Sequence, residues 1–230
     1  FWNSAHTLPS AATDTLFYTQ TQKLLQFDFG LSDGGRDINH DIHTRMGPSL
    51  AIALPSLILG LLVNISFALL LVFFKGNYFE RFGIVLCIAM MSISGLFYII
   101  IGQFLLGKSW HFVPISGYIG GWQAWHFVIL PVIVSITAHF GAGSRWYRSL
   151  LLEEHLKPYA MTARAKGLTP LQVLRRHILP NTMIPIVTGI VSILPLLFLG
   201  SLLTESFFAI PGLGSYTIDA IHQQDFAIIR

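Results

Sequence analysis

Of 230 residues only 11% are charged and 53% are hydrophobic, where soluble domains carry about 25% charged residues, so a soluble domain of this length would lack the polar surface to cover itself. The formal net charge of +3 marks no nucleic-acid surface, because no groove-like interleaving of basic and aromatic residues accompanies it. One cysteine, Cys87, excludes an intramolecular disulfide framework and any multi-cysteine metal site, and its apolar neighbours make it a core or lipid-facing residue.

Residues 1–48 read as an extracytoplasmic loop. Asp37-Ile-Asn-His-Asp41 begins like a calcium loop, but Ile42 stands where the turn glycine is needed and Pro48 where the closing glutamate should be. His40 and His43, three apart and beside Asp37 and Asp41, have the spacing of metal ligands on one helical face; they read instead as polar loop residues, and no metal is expected.

Four apolar runs then approach the roughly 20 residues that a membrane span requires. They cover about 50–74, 82–106, 125–144 and 182–204. The fold class is therefore all-α, a polytopic helical membrane protein. The first two runs are joined by the short link 75–81 and form a hairpin. Pro55, Pro131, Pro185 and Pro195 fall inside runs, where membrane helices tolerate kinks if neighbours satisfy the freed carbonyls. The third run closes on Gly141-Ala-Gly-Ser144, and it contains His139, an intramembrane ionisable group and so a candidate for the substrate path. Glu205, at the end of the fourth run, is placed where a carboxylate reaches water at little cost; it is a candidate outer gate or binding-protein contact.

Charge asymmetry orients the chain. The link 75–81 and residues 145–181 carry nine Lys and Arg against Glu80, Glu153 and Glu154, a net of +6, whereas the other loops are net acidic. The basic loops are therefore expected in the cytoplasm. Within the larger one, about 145–181, Pro158 suits the first turn of a short helix and Gly167 the left-handed residue that stops it, with Leu168 as the apolar contact beyond. Thr169 is placed to cap a second helix, with Pro170 at its first position and Gln172 completing a capping box; Pro180 is expected to end it. Leu156, Ala160, Ala163 and Gly167 recur at three- and four-residue intervals, which gives the first helix one small face, ringed by Lys157, Arg164 and Lys166.

This segment resembles the EAA loop of the permease subunits of binding-protein-dependent ABC importers. Aligned on Gly167, the Glu-Ala-Ala triplet falls on Met161, Thr162 and Ala163, and the closing Ile-x-Leu-Pro on His177, Ile178, Leu179 and Pro180, so the family's Glu, one Ala and the Ile are absent. Thr-Ala-Arg-Ala-Lys-Gly followed by Arg-His is similar to the dipeptide, oligopeptide and nickel branch. Phe27-Asp-Phe-Gly-Leu-Ser32 resembles an element of the large outer loop there, and the run Thr204 to Gly214 resembles the outer loop before the last span.

The resemblance implies a subunit of the bacterial inner membrane with six spans, one before residue 1 and one after Arg230. Consistent with that, no apolar run precedes Leu50 and the chain opens on Phe1, so it reads as a fragment with both ends outside the cytoplasm and residues 205–230 as an outer loop. The implied partners are ABC ATPase subunits, a second permease, similar or identical, an extracytoplasmic substrate-binding protein and membrane lipid. The implied docking residues are Leu156, Tyr159, Ala160, Thr162, Ala163, Arg164, Ala165, Lys166, Gly167, Leu168, Thr169, His177, Leu179 and Pro180, with the small face entering a cleft on the ATPase.

The chain contains no Gly-x-x-x-x-Gly-Lys-Ser/Thr loop, so no cofactor is expected on it, ATP and magnesium belonging to the partner, and no enzymatic activity. Gly212-Leu-Gly214 lacks a third glycine at Thr217 and follows no strand, which removes a dinucleotide site. A carrier driven by an ion gradient is the alternative, but it needs no docking helix pair and usually shows repeated halves. Peptides are the expected substrate, with nickel, opines, sugars and antimicrobial peptides the other cargoes of that branch.

Overall fold

A computed structural model describes residues 29–109, 113–114, 116–119, 121 and 124–229. Phe27 and Asp28 of the outer-loop element, with the rest of 1–28, lie outside the described residues. The first helix, α1 (Ile38–Phe73), begins well before the apolar run because Asp37 caps it, its carboxylate accepting from the Asn39 N–H at 2.9 Å. Asp37 to Asp41 is thus a helix start, and the expected outer loop is helical from Ile38. At 36 residues α1 is about 54 Å long, well beyond the roughly 30 Å of a bilayer's hydrocarbon core. Gly76, at φ +90°, turns the chain after it.

The single second span expected over 82–106 is instead two helices, α2 (Tyr78–Met91) and α3 (Gly95–Gly102, prolonged by a wide π-turn over Gln103–Ser109), bent by 91°. Hydropathy does not see the break because its causes are small polar groups. The Ser92 hydroxyl donates back to the Ile88 carbonyl at 2.9 Å, Ser94 is extended at ψ 144°, and the Tyr98 hydroxyl donates to the Met90 carbonyl at 2.8 Å across the corner.

Helix α4 (Ala124–His155) continues past Ser144 to His155, so the first part of the expected cytoplasmic loop is a rigid extension of the third span. The glycines expected to close that span form a packing seam. A Cβ on Gly141 would lie 2.5 Å from the Cys87 carbonyl oxygen, and one on Gly143 would lie 2.8 Å from the Asn64 side chain. Only glycine lets α2 and α1 approach this closely, and Cys87 beneath is fully buried core.

After α5 (Pro158–Ala165), α6 (Pro170–Val173) runs through a π-turn at Leu174–Ile178 into α7 (Leu179–Phe198). Pro180 therefore does not end a helix. It sits in the first turn of α7, where the wider turn before it absorbs the missing N–H and the ring. The fourth span also stops short of Thr204: Gly200 takes φ +70° and Ser201 caps α8 (Leu202–Phe207). Then α9 (Leu213–Gln223) and α10 (Phe226–Ile229) occupy most of the expected outer loop.

Among the described residues two apolar cores hold the bundle. One joins Ala68 and Val72 of α1 to Tyr147 and Leu151 of α4, Ala160 and Ala163 of α5, Val173, and Ile178 with Ile186 toward α7. The other joins Ile52, Ile99, Leu130 and Val134 to Phe208 and Ile210 at the opposite end. Many apolar side chains outside them are exposed, among them Ile184, Val191 and Leu196 of α7, which suits a hydrocarbon solvent.

Candidate functional site

At the loop end, a corner of polar contacts fixes α5 to the end of α4. Glu154 accepts from the Lys157 ammonium and from the Tyr159 hydroxyl, each at 2.5 Å. The Glu154 carboxylate raises the Lys157 pKa, and burial with the same carboxylate raises that of Tyr159. Arg164 reaches back to the His155 ring at 3.0 Å. Pro158 opens α5 and Gly167, at φ +83°, closes it.

The exit is a Schellman arrangement: the Leu168 N–H donates to the Ala163 carbonyl at 3.3 Å and the Gly167 N–H to the Arg164 carbonyl at 2.9 Å, while Leu168 packs on the same core as Ala163. The capping box then forms, the Thr169 N–H donating to Gln172 Oε1 at 2.9 Å and the Gln172 N–H to Thr169 Oγ1 at 3.4 Å. Both features follow directly from the residue order.

The small face points the other way from expectation. Ala160 and Ala163 are buried, against Leu151, Val173 and Ile178 of the same chain, so that face is not free to enter a partner's cleft. Leu156 lies in the turn before α5, is 63% exposed and shares no face with them. What α5 leaves uncovered is Met161, Thr162, Arg164, Ala165 and Lys166, with Gly167 and Thr169 beyond. The physical reason is that small apolar residues serve close packing on the home protein as well as on a partner, and here the core behind α5 lacks any other cover. Tyr159, Leu168, His177 and Leu179 are half-buried at the rim, and Pro180 is exposed.

A cavity of about 400 Å³ lies among α1, α4, α7 and α8, and both residues proposed for a path line it, His139 and Glu205. The His139 Nδ1 lies 2.8 Å from the Ser135 carbonyl, one turn back, leaving the rest of the ring toward the cavity. Glu205 is not a solvated end residue. It is 1% exposed and its carboxylate accepts N–H groups from Ser201 at 3.1 Å, Gly214 at 2.7 Å and Ser215 at 3.2 Å. Sequence position alone hid this, because the donors come from backbone that folds over it.

Four further pairs escaped the sequence reading. Buried Asn64 accepts from the Ser144 hydroxyl at 2.9 Å, and an amide in the first apolar run was the available signal. Glu80 pairs with Arg148 and accepts the Gly76 N–H at 2.7 Å, tying the link 75–81 to α4. Ser32 donates to Asp225, while the Asp33 carboxylate accepts the Phe226 N–H at 3.0 Å. Asp41, near the start of α1, accepts the Tyr216 hydroxyl at 3.0 Å; burial and that carboxylate push the phenol up to about 12. Among the described residues no group of three or more His, Cys, Asp or Glu is placed to hold a metal ion.

Residues 65–230 match the family model for the binding-protein-dependent transport system inner membrane component. The chain belongs to that family. As a member it is a helical inner membrane component of such a system, and it spans less than two thirds of the length of the first two relatives below. It is 30% identical over 197 residues to a probable peptide ABC transporter permease protein of Sinorhizobium fredii, covering 81% of this chain and 61% of the relative. It is 36% identical to a dipeptide transport system permease protein of Lactococcus lactis, over 54% of this chain and 40% of the relative. A glutathione transport system permease protein of Salmonella typhimurium is 28% identical over 93% of this chain and 69% of its own length. The family match covers the whole corner from Glu154 to Pro180, the link 75–81, and His139 and Glu205 of the cavity lining.

Proposed function

We propose that this chain is part of the permease subunit of an ATP-driven importer of peptides, coupled to a separate ATPase through residues 154–180. The carrying observation is the corner itself. A short helix is locked by Glu154, Gly167 and the capping box onto the core that α1, α4 and α7 share, with a polar and basic outer face. An isolated amphipathic helix lying on lipid would turn its apolar face outward; α5 turns it inward and presents Met161, Thr162, Arg164, Ala165 and Lys166.

In this reading the loop end is cytoplasmic, and closure of the ATPase on ATP and magnesium displaces α5. Since α5 is fixed to α4 and to the start of α7, its displacement moves the helices that line the cavity. The chain binds no nucleotide and is not catalytic. A second permease completes the path and a substrate-binding protein delivers cargo at the opposite end. Peptide cargo is supported by the peptide, dipeptide and glutathione transport of the relatives above.

The test is reconstitution of the intact subunit, alone and with its ATPase and partner permease. Alone it is expected to bind no ATP and to drive no uptake; with the partners and a binding protein loaded with a dipeptide or tripeptide, uptake should require ATP. Uptake by the subunit alone, driven by a proton or sodium gradient, would overturn this reading in favour of a carrier.

A further inference from the structure

Glu205 is a buried carboxylate whose three N–H donors come from two separate stretches, Ser201 after α7 and Gly214 with Ser215 at the start of α9. The packing around it is equally specific. A Cβ on Gly212 would lie 2.2 Å from Glu205 Oε2, and one on Gly200 would lie 2.4 Å from Glu205 Oε1. Beside it the Ser49 hydroxyl, on α1, accepts the Leu213 N–H at 2.8 Å. Ser49, Gly200, Ser201, Thr204 and Glu205 all line the end of the cavity away from α5.

We propose that Glu205 and Ser49 form a latch that holds this end of the cavity closed, and that opening it releases the 200–215 segment as one unit. The energetics favour two states over a graded series. With all three donors in place the buried charge is satisfied, and with the segment lifted away it is solvated; a half-open arrangement leaves a charge dehydrated with too few donors, the costliest condition for a carboxylate. A bistable element of this kind is what an end-to-end alternation of access needs. The inference rests on the permease reading for its purpose but not for its geometry.

The experiment reads access to the cavity directly. In the intact subunit, co-expressed with the candidate ATPase and second permease and studied in membrane vesicles, Cys87 is replaced by Ser and Ala53, which lines the cavity, by Cys. An impermeant thiol reagent is applied on the side opposite the α5 loop, without ATP. Three variants are compared: Glu205→Gln, whose amide NH2 must face at least one donor; Gly212→Ala, which displaces the carboxylate; and Ser49→Ala, which removes one acceptor and little packing.

Each should label about ten-fold faster than the parent, the scale on which a lost hydrogen bond to a charged or buried group is felt. Should Glu205→Gln or Gly212→Ala fail to insert, Ser49→Ala alone carries the test. Labelling at the parent rate in every inserted variant overturns the latch. Co-purification of the ATPase is scored in the same preparations with the parent chain: its absence there overturns the permease reading and leaves the labelling result intact.

Discussion

The Ser144 hydroxyl donates to the Asn64 side-chain oxygen at 2.9 Å with both residues buried, and Gly143 beside it leaves no room for a Cβ against the same amide. This contact fixes α1 to α4 in the second half of both helices, between the two apolar cores. Replacing Asn64 by Leu should lower stability by about 1–3 kcal/mol, the cost of leaving a buried polar group without its partner. The double change with Ser144→Ala should lose less than the two singles added together, because both partners then become apolar. Thermal unfolding of the detergent-purified subunit checks this; additive losses would show that the two side chains act independently.

Gly167→Val tests the exit of α5. Nothing lies within 4 Å of the position a Cβ would take, so the penalty comes from φ +83° alone. A β-branched residue there should unwind the Schellman exit and misplace Thr169, while the spans remain inserted. Membrane levels near normal with loss of ATPase co-purification are expected. Unchanged association would remove this turn from the coupling element.

Ala163→Glu and Met161→Glu separate packing from docking. Ala163 is 5% exposed inside the core shared with Tyr147 and Leu151, so a glutamate there should lower the amount of folded subunit. Met161 is 56% exposed, so the same change there should leave folding intact and weaken ATPase association by at least about ten-fold if this face carries docking. Association preserved in Met161→Glu would place the contact elsewhere.

Acid should loosen the opposite end. The Ser32 hydroxyl, with N–H groups of Asp33 and neighbouring residues, holds the Asp225 carboxyl below the usual aspartate range. A depressed folded value means that the contact's stabilisation is present above the ordinary aspartate pKa and is lost as pH falls through the folded one. Hydrogen exchange at Asp33, whose amide is held by the Asp225 carboxylate, should therefore gain protection from this contact at pH 7 and lose it on strong acidification. In Asp225→Asn that pH dependence should be much reduced.

How much of this was legible depended on whether the signal was local. Pro158, Gly167, Thr169 and Gln172 act on backbone within a few residues, and each does in the structure what its position predicts. The bend at Ser92–Ser94 was hidden because hydropathy averages over the small polar groups that cause it. The burial of Glu205 and the inward turn of Ala160 and Ala163 were hidden for another reason: both depend on how the chain folds back on itself, Gly214 and Ser215 over the one, Tyr147 and Ile178 under the other. Periodicity finds a face, and only tertiary structure says which neighbour claims it.

The unbroken run of α4 from Ala124 to His155 has a mechanical consequence. At 32 residues it is a rod of about 48 Å, and neither Pro131 nor the glycine seam interrupts it. One extremity is bonded to α5, Ser144 is held to α1 at Asn64, and Leu130 with Val134 on the other arm is packed in the second core, which is the arrangement of a strut clamped along its length. Any displacement of the loop corner therefore reaches Leu130 and Val134 in the opposite core by way of one unbroken helix, and the bent α2–α3 segment, pressed on that helix at Gly141 and tied to it through Glu80 and Arg148, follows it.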